Sequence, residues 1–417
     1  MRSQALHHRR RERGSVLLLV VIAAAALLGV AGLALDASRL GYMKARLQSV
    51  ADAMALAAAK RLDQTGSTTA ACDAARDSLV ANAQGFKELA QSLPSPVTCG
   101  DLDIKFSSEI PFDVTKPGTA RYVRVFIDDI AVGASLAQAL GFTTLEVSAS
   151  AVAGPSAPLA EVCSVLPIAV CGTAQKPNFG FVPGRVYLLK GKQNIGDGTQ
   201  FGDFHFLSMS GSGASVLRTD FAGGFASCIV VSGGTSYPIK QGGNVGPVAQ
   251  GVNTRFNEYA SGLSPALYPP DVLWKGTGQP PVSPISANPD GTLKQGSKII
   301  VWGTDVAVPN RTDYLNRLAA GNYDSPLLPA PGGGALLRRE VAVPIANCTA
   351  PINQNALPLR GAACFFLLQR MSSSGTTSEL IGEFLTGCEA TGTPGPNPGD
   401  GGPYVIQLFR DPSSSDS

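Results

Sequence analysis

The residues of this chain with the most chemistry to offer are its cysteines: Cys72, Cys99, Cys163, Cys171, Cys228, Cys348, Cys364 and Cys388. Their number is even, and all lie C-terminal to the one long apolar stretch. An even set on the oxidising side of a membrane reads as disulfides, with buried free thiols as the competing reading. No two are spaced Cys-x-x-Cys, so a zinc ribbon or thioredoxin-type site has no support. Eight cysteines allow on the order of a hundred pairings, and sequence does not choose among them. Cys72 with Cys99 is the best candidate, because the two bracket one helix and no other cysteine precedes residue 154. Cys348–Cys364 or Cys364–Cys388 are candidates within the last strands.

Histidine is scarce. His7 and His8 sit among arginines and read as part of a solvated basic tail. His205 lies between Phe204 and Phe206, where it reads as the polar residue of an alternating strand. A Ser-His-Asp triad needs a histidine base, and no Gly-x-Ser-x-Gly elbow accompanies this one. A zinc site there would be short of ligands. Asn194 to Thr199, with Asp203 beyond, gathers oxygens in a glycine-rich turn, but no glutamate closes an EF-hand. It reads as a turn, with a calcium loop as the alternative. Asp411-Pro412-Ser413-Ser414-Ser415 has the Asp-x-Ser-x-Ser pattern of metal-dependent adhesion sites, yet it reads better as a disordered polar tail. No Gly-x-x-x-x-Gly-Lys-Ser/Thr loop exists, so the chain is not a nucleotide-driven motor. The expectation is a protein with no catalytic residue, no cofactor and no metal.

Positioning falls to Ser15–Leu35, 21 residues without a charge, 12 of them Leu, Ile or Val. Roughly 20 apolar residues cross about 30 Å of hydrocarbon. At roughly −0.3 to −0.6 kcal/mol each, the large apolar residues favour insertion by several kcal/mol. Arg2, Arg9, Arg10, Arg11 and Arg13 precede the stretch, offset by Glu12, and Asp36 follows it. Basic flanks stay cytoplasmic, which puts the N-terminus inside and the rest outside. The competing reading is a cleaved signal peptide, with Gly32-Leu33-Ala34 as its cleavage site, but an apolar core of that kind runs only about 7–15 residues.

Net charge is +2 from 33 basic and 31 acidic residues, and the basic excess sits largely in the tail. No basic face remains for nucleic acid. Asp36 to Leu62 continues as helix, with Leu40, Met43, Leu47, Val50, Met54 and Ala57 on one stripe. That stripe packs either on the chain's own domain, the slightly favoured reading, or on a second copy. A second helix is expected over about Thr69–Phe86 and a short one over Ser135–Leu140. Strands are expected around Leu102–Phe106, Tyr122–Ile130 and Thr143–Val152.

Composition shifts at residue 154: four of 30 prolines precede it and 26 follow. Beyond it strands are expected at Val162–Val170, Arg185–Lys190, Ser227–Val231, Lys298–Trp302, Glu340–Ile345, Ala363–Arg370 and Tyr404–Phe409, and 275–296 and 390–403 read as mobile loops. The expected architecture is membrane-anchored α+β: a tail (1–14), a transmembrane helix (15–35), a long helix with a small α+β domain (36–153) and a β-rich domain (154–417).

The order basic tail, Arg13-Gly14, apolar span, Asp36, Arg39-Leu40, Leu47-Gln48, Ala51-Asp52-Ala53, Ala55-Leu56-Ala57 resembles the N-terminal module of TadE/TadG-like proteins of bacterial Tad (Flp) pilus assembly. The runs Arg121–Asp129 and Ala139–Gly154 resemble that family's periplasmic continuation. Gly184–Lys190, Gly202-Asp203-Phe204, Gly246–Gly251 with Arg255, Phe365-Phe366-Leu367 and Ile381–Phe384 resemble the C-terminal region of TadG-like members, with Gly246-Pro247 and Gly251 read as turn residues. Prepilin-like members carry Glu five residues after the cut glycine; here Gly14 is followed at that distance by Leu19, which fits an uncleaved TadG-like branch. The resemblance implies a structural or assembly component in the cytoplasmic membrane. Its partners would be the membrane and other pilus or secretion proteins, with self-association through the helix 36–62. An anchored adhesive or ligand-binding ectodomain is the alternative, and an extracytoplasmic hydrolase is the weakest reading.

Overall fold

The computed structural model describes residues 13–134, 138, 144–191, 203–211, 213–225, 227–231, 235–240, 245–272, 284–288, 290, 292–300, 310–320, 334–349, 356–372, 379–395, 401–411 and 414. Two compact units divide it: Met1–Ala58 with Ala71–Ala153 and Leu408–Ser417, and Ala59–Ala70 with Gly154–Gln407. The change at residue 154 is where the composition shifts, but residues 59–70 and 408–417 each group with the unit that sequence order would not assign them.

An unbroken run of Ala, Leu and Val, with no proline to remove a hydrogen bond, builds the helix α1 (Arg13–Thr65). In the first unit α2 (Thr68–Ala83) and α3 (Lys87–Ser92) follow. The helix expected over about Thr69–Phe86 is α2, ending at Ala83; α3, beyond the buried Phe86, was not expected. Strands β1 (Asp103–Ser107), β2 (Tyr122–Gly133) and β3 (Thr144–Pro155) then form an antiparallel sheet. Alternating Val123, Val125 and Ile127 bury one face of β2, and a bulge at Asp128-Asp129 resets the register. The expected helix at Ser135–Leu140 lies outside the described residues, Gln138 excepted.

In the second unit the strands are β4 (Leu159–Cys163), β5 (Ile168–Cys171), β6 (Val186–Lys190), β7 (Phe204–Leu207), β8 (Cys228–Val230), β9 (Ser236–Lys240), β10 (Ile285–Ala287), β11 (Leu293–Gln295), β12 (Lys298–Ile299), β13 (Glu340–Ala346), β14 (Ala356–Leu367), β15 (Leu380–Leu385), β16 (Gly387–Glu389), β17 (Thr391–Pro394) and β18 (Gly402–Tyr404); β19 (Ile406–Phe409) follows at the unit boundary and completes the sheet of the first unit. Helices α4 (Ala214–Gly223), α5 (Val245–Val252) and α6 (Arg311–Ala319) interrupt them. β5 pairs with β7, β7 with β9, β9 with β14, β14 with β13, and β13 returns to β5 in parallel. The ring is closed, which leaves its strands no open edge along these ladders. β15 and then β6 extend from β14. The smaller sheets are β17-β4-β8, β16-β18 and β10-β11-β12, while β19 joins β3 in the sheet β1-β2-β3-β19.

Several differences from the sequence reading have local causes. Val162–Val170 is two strands, because Ser164 takes a positive φ of 57° and Pro167 cannot donate to a ladder. Tyr404–Phe409 divides at Val405 between β18 and β19. Within the stretches read as loops, β10, β11, β17 and β18 form; between β10 and β11 the Asn288 N–H donates to the Thr292 carbonyl and the Thr292 N–H to the Asp290 carboxylate. Gly246–Gly251 is the body of α5, not a turn. A Cβ on Gly251 would stand 2.4 Å from the Arg218 carbonyl oxygen and 2.6 Å from Phe221 Cβ, so this glycine lets α4 and α5 touch. Their apolar faces, with Leu217, Phe221, Val248 and Val252, join Ile168 and Phe365 in the main core.

Candidate functional site

The longest apolar surface in the described chain is the first half of α1. Leu17 through Leu35 presents Leu27 and Leu28 at 71 % exposure, and even Leu33, the least exposed of its large residues, stands at 46 %. The helix from Leu17 is long and apolar enough to cross a membrane. Beyond Asp36 the same helix changes character. Met43, Leu47, Val50 and Met54 are buried, Leu47 completely. Lys44 Nζ donates to the Ser148 carbonyl at 2.6 Å and Gln48 Nε2 to that of Ser150 at 2.7 Å, fastening the helix across β3. Arg39 reaches Glu88 at 3.3 Å, and the Arg46 guanidinium lies 4.6 Å over the Phe86 ring. The 3-4 stripe is therefore covered within this unit.

In the second unit, the last turns of α1 enter an ionisable cluster. Lys60 Nζ is 3.0 Å from Glu389 and the Tyr404 hydroxyl donates to Asp63 at 2.5 Å. Beside them Arg311 pairs with Glu340 at 2.5 Å, and the Arg311 main-chain N–H donates to Glu383. Burial pushes the Glu340 carboxyl up to about 7, against the pull of Arg311. Burial and the nearby Asp63 carboxylate push the Tyr404 hydroxyl up as well.

Four disulfides are present: Cys72–Cys99, Cys163–Cys228, Cys171–Cys348 and Cys364–Cys388. Of the pairings weighed for the last strands, Cys364 joins Cys388, and Cys348 instead joins Cys171. The two bonds that sequence did not single out follow strand register. Cys163 and Cys228 face each other in β4–β8. Cys348 lies two residues past Ala346, the parallel partner of Cys171. That register is a long-range property with no local signal.

His205 is half-buried on β7, between Phe204 and Phe206. Its ring nitrogen and the sulfurs of Cys171 and Cys348 all lie within 4.8 Å of one another. The sequence reading left this histidine without metal-ligating neighbours; the barrel brings it two. Residues 192–202, most of the calcium-loop candidate, lie outside the described residues, as do His7 and His8. Asp411 is not part of a disordered tail: it is fully buried and accepts from Arg124 Nε at 2.7 Å. Arg255, noted for its place in the resemblance, donates to the Phe221 carbonyl at 2.5 Å, and Arg338 donates to Ala222. Both guanidiniums cap the negative C-terminal end of α4, a structural role.

A single helix with one bare apolar half and one half seated on a sheet leads a disulfide-bonded, β-rich body. Residues 14–61 match the family described as "Putative Flp pilus-assembly TadE/G-like". The matched segment covers nearly all of α1. That family is generally structural, and the match suggests a Tad (Flp) pilus-related role. No curated protein and no solved structure matches the chain.

Proposed function

We propose that this protein is a non-catalytic component of a bacterial Tad (Flp) pilus or secretion apparatus, held in the cytoplasmic membrane by residues 15–35. Its N-terminus would lie in the cytoplasm and its disulfide-bonded body in the periplasm. The observation that carries this reading is the change of exposure along α1: an uncharged bare half of membrane-crossing length, then a half whose stripe is covered. Left in water, the bare half would expose far more contiguous apolar surface than soluble monomers tolerate. The arginines before it favour the inward N-terminus, and four disulfides suit an oxidising compartment.

Action would be through protein contacts. Two of the strands that end open sheets, β1 and β6, offer edges to a partner chain, whereas the closed ring does not. Because the stripe at Met43–Met54 is covered in the chain itself, self-association would use the lipid-facing half of α1 instead. In-cell crosslinking from β1 and from β6 tests this: recovery of other pilus-assembly proteins is expected. Capture of soluble glycans by the body, with no pilus component crosslinked, would favour the adhesive alternative and contradict the proposal.

A further inference from the structure

We propose that Cys171, Cys348 and His205 form a redox-gated site for a borderline-soft divalent cation of the zinc type, closed by the disulfide and opened when a dithiol reduces it. The placement of the three ligands comes from main-chain ladders. In β5–β7, Ala169 faces His205, and Cys171, two residues on, shares the strand face of Ala169. The Cys171 N–H donates to the Asp203 carbonyl at 2.7 Å and continues that ladder. In β13–β5, Cys171 faces Ala346, two residues before Cys348. Breaking the sulfur–sulfur bond removes none of these hydrogen bonds, so the reduced corner keeps its ligands on adjacent strands.

The dimensions suit a metal. The three ligand atoms lie within 4.8 Å of one another. A tetrahedral zinc with bonds of about 2.3 Å to sulfur and about 2.0 Å to nitrogen holds its ligands roughly 3.5–3.8 Å apart. Side-chain rotation after reduction spans that difference. Cys171 and Cys348 are 1 % and 4 % exposed and belong to an apolar cluster with Leu207 and Leu359. Two buried thiolates would be costly alone, but a divalent cation neutralises both. His205, half-buried, marks the way in. Two sulfurs and one imidazole leave a fourth position for water, the open arrangement of zinc sites that bind an exchangeable ligand. Among the described residues, no other disulfide has a third ligand grouped with it in this way.

The chemistry balances. A dithiol reductant attacks the Cys171–Cys348 bond, passes through a mixed disulfide and leaves as its own disulfide. Two electrons and two protons stay on the two thiols. The cation then displaces both thiol protons and takes the neutral imidazole as its third ligand.

The test uses the full chain in detergent, reduced anaerobically with a phosphine, with thiol alkylation and peptide mass reporting which cysteines are open. Cobalt(II) is the probe. The expected result is one equivalent giving thiolate-to-cobalt charge transfer and tetrahedral d–d bands, lost in the Cys171→Ser/Cys348→Ser chain and absent from the oxidised chain. His205→Ala should shift the d–d bands and weaken that equivalent by about tenfold or more. His205→Gln, which keeps bulk and polarity, serves as a second variant where alanine disturbs β7. Identical spectra and affinity in both His205 variants would overturn the site. So would a Cys171–Cys348 bond that opens only with loss of near-ultraviolet circular dichroism that cobalt does not restore.

Discussion

The two halves of α1 are built from the same few residue types and meet opposite fates. Residues 17–35 are apolar all round and, Gly32 apart, exposed; residues 43–58 carry apolar side chains on one stripe and bury it. Their Ala and Leu content does not separate them, because both halves are rich in these residues. Periodicity does. A helix apolar on every side has no wet face and needs lipid, whereas a helix with Arg46, Gln48 and Lys60 between its apolar residues needs a protein surface on one side only. The boundary is set by the first charges, Asp36 and Arg39.

Substitutions can break this contrast. The largest effect belongs to Ile22→Arg with Leu27→Arg, which costs about 5–7 kcal/mol of insertion energy, comparable to what the whole apolar run supplies. Fractionation should find this variant in the soluble phase. Leu47→Ala acts in the other half: it should lower the stability of the first unit by about 2–5 kcal/mol in denaturant titration and leave membrane retention unchanged. Leu28→Ala is its counterpart, expected to shift that titration by less than about 0.5 kcal/mol. Cys72→Ser/Cys99→Ser removes the one crosslink of the first unit and should cost it about 2–4 kcal/mol.

Smaller effects are expected in the second unit. Gly251→Ala, forcing α4 from α5, should cost the second unit about 1–3 kcal/mol by thermal unfolding without touching the first. The Glu340 carboxyl, raised from 4.5 to about 7, keeps its proton longer in the folded chain than in the unfolded one. Stability of the second unit should therefore fall as pH rises from about 4.5 to about 7 and level off above. Glu340→Gln should flatten that slope; an unchanged slope would assign it to other groups.

How much of this was written locally follows from the same physics. The apolar run, the 3-4 stripe and the alternation in β1, β2 and β3 are short-range patterns, and each is readable in the sequence. Cys72–Cys99 was accessible too, because its partners flank one helix. The second unit was far less legible. Its strands are short, its ring closes between segments as distant as β5 and β13, and helices α4–α6 sit among glycines and prolines that read as loops. The pairing of Cys171 with Cys348, across 177 residues, and their nearness to His205 exist only once that ring closes. Gly251 misled for a related reason: a glycine chosen for close helix contact looks in sequence like one chosen for a turn.

The most direct test of the account is alkaline carbonate extraction of cell membranes combined with protease treatment of intact spheroplasts. The full-length chain should stay in the membrane pellet after carbonate, and added protease should digest its body while sparing a short N-terminal fragment. Release of the intact chain into the carbonate supernatant, or a body protected until the spheroplasts are lysed, would contradict it.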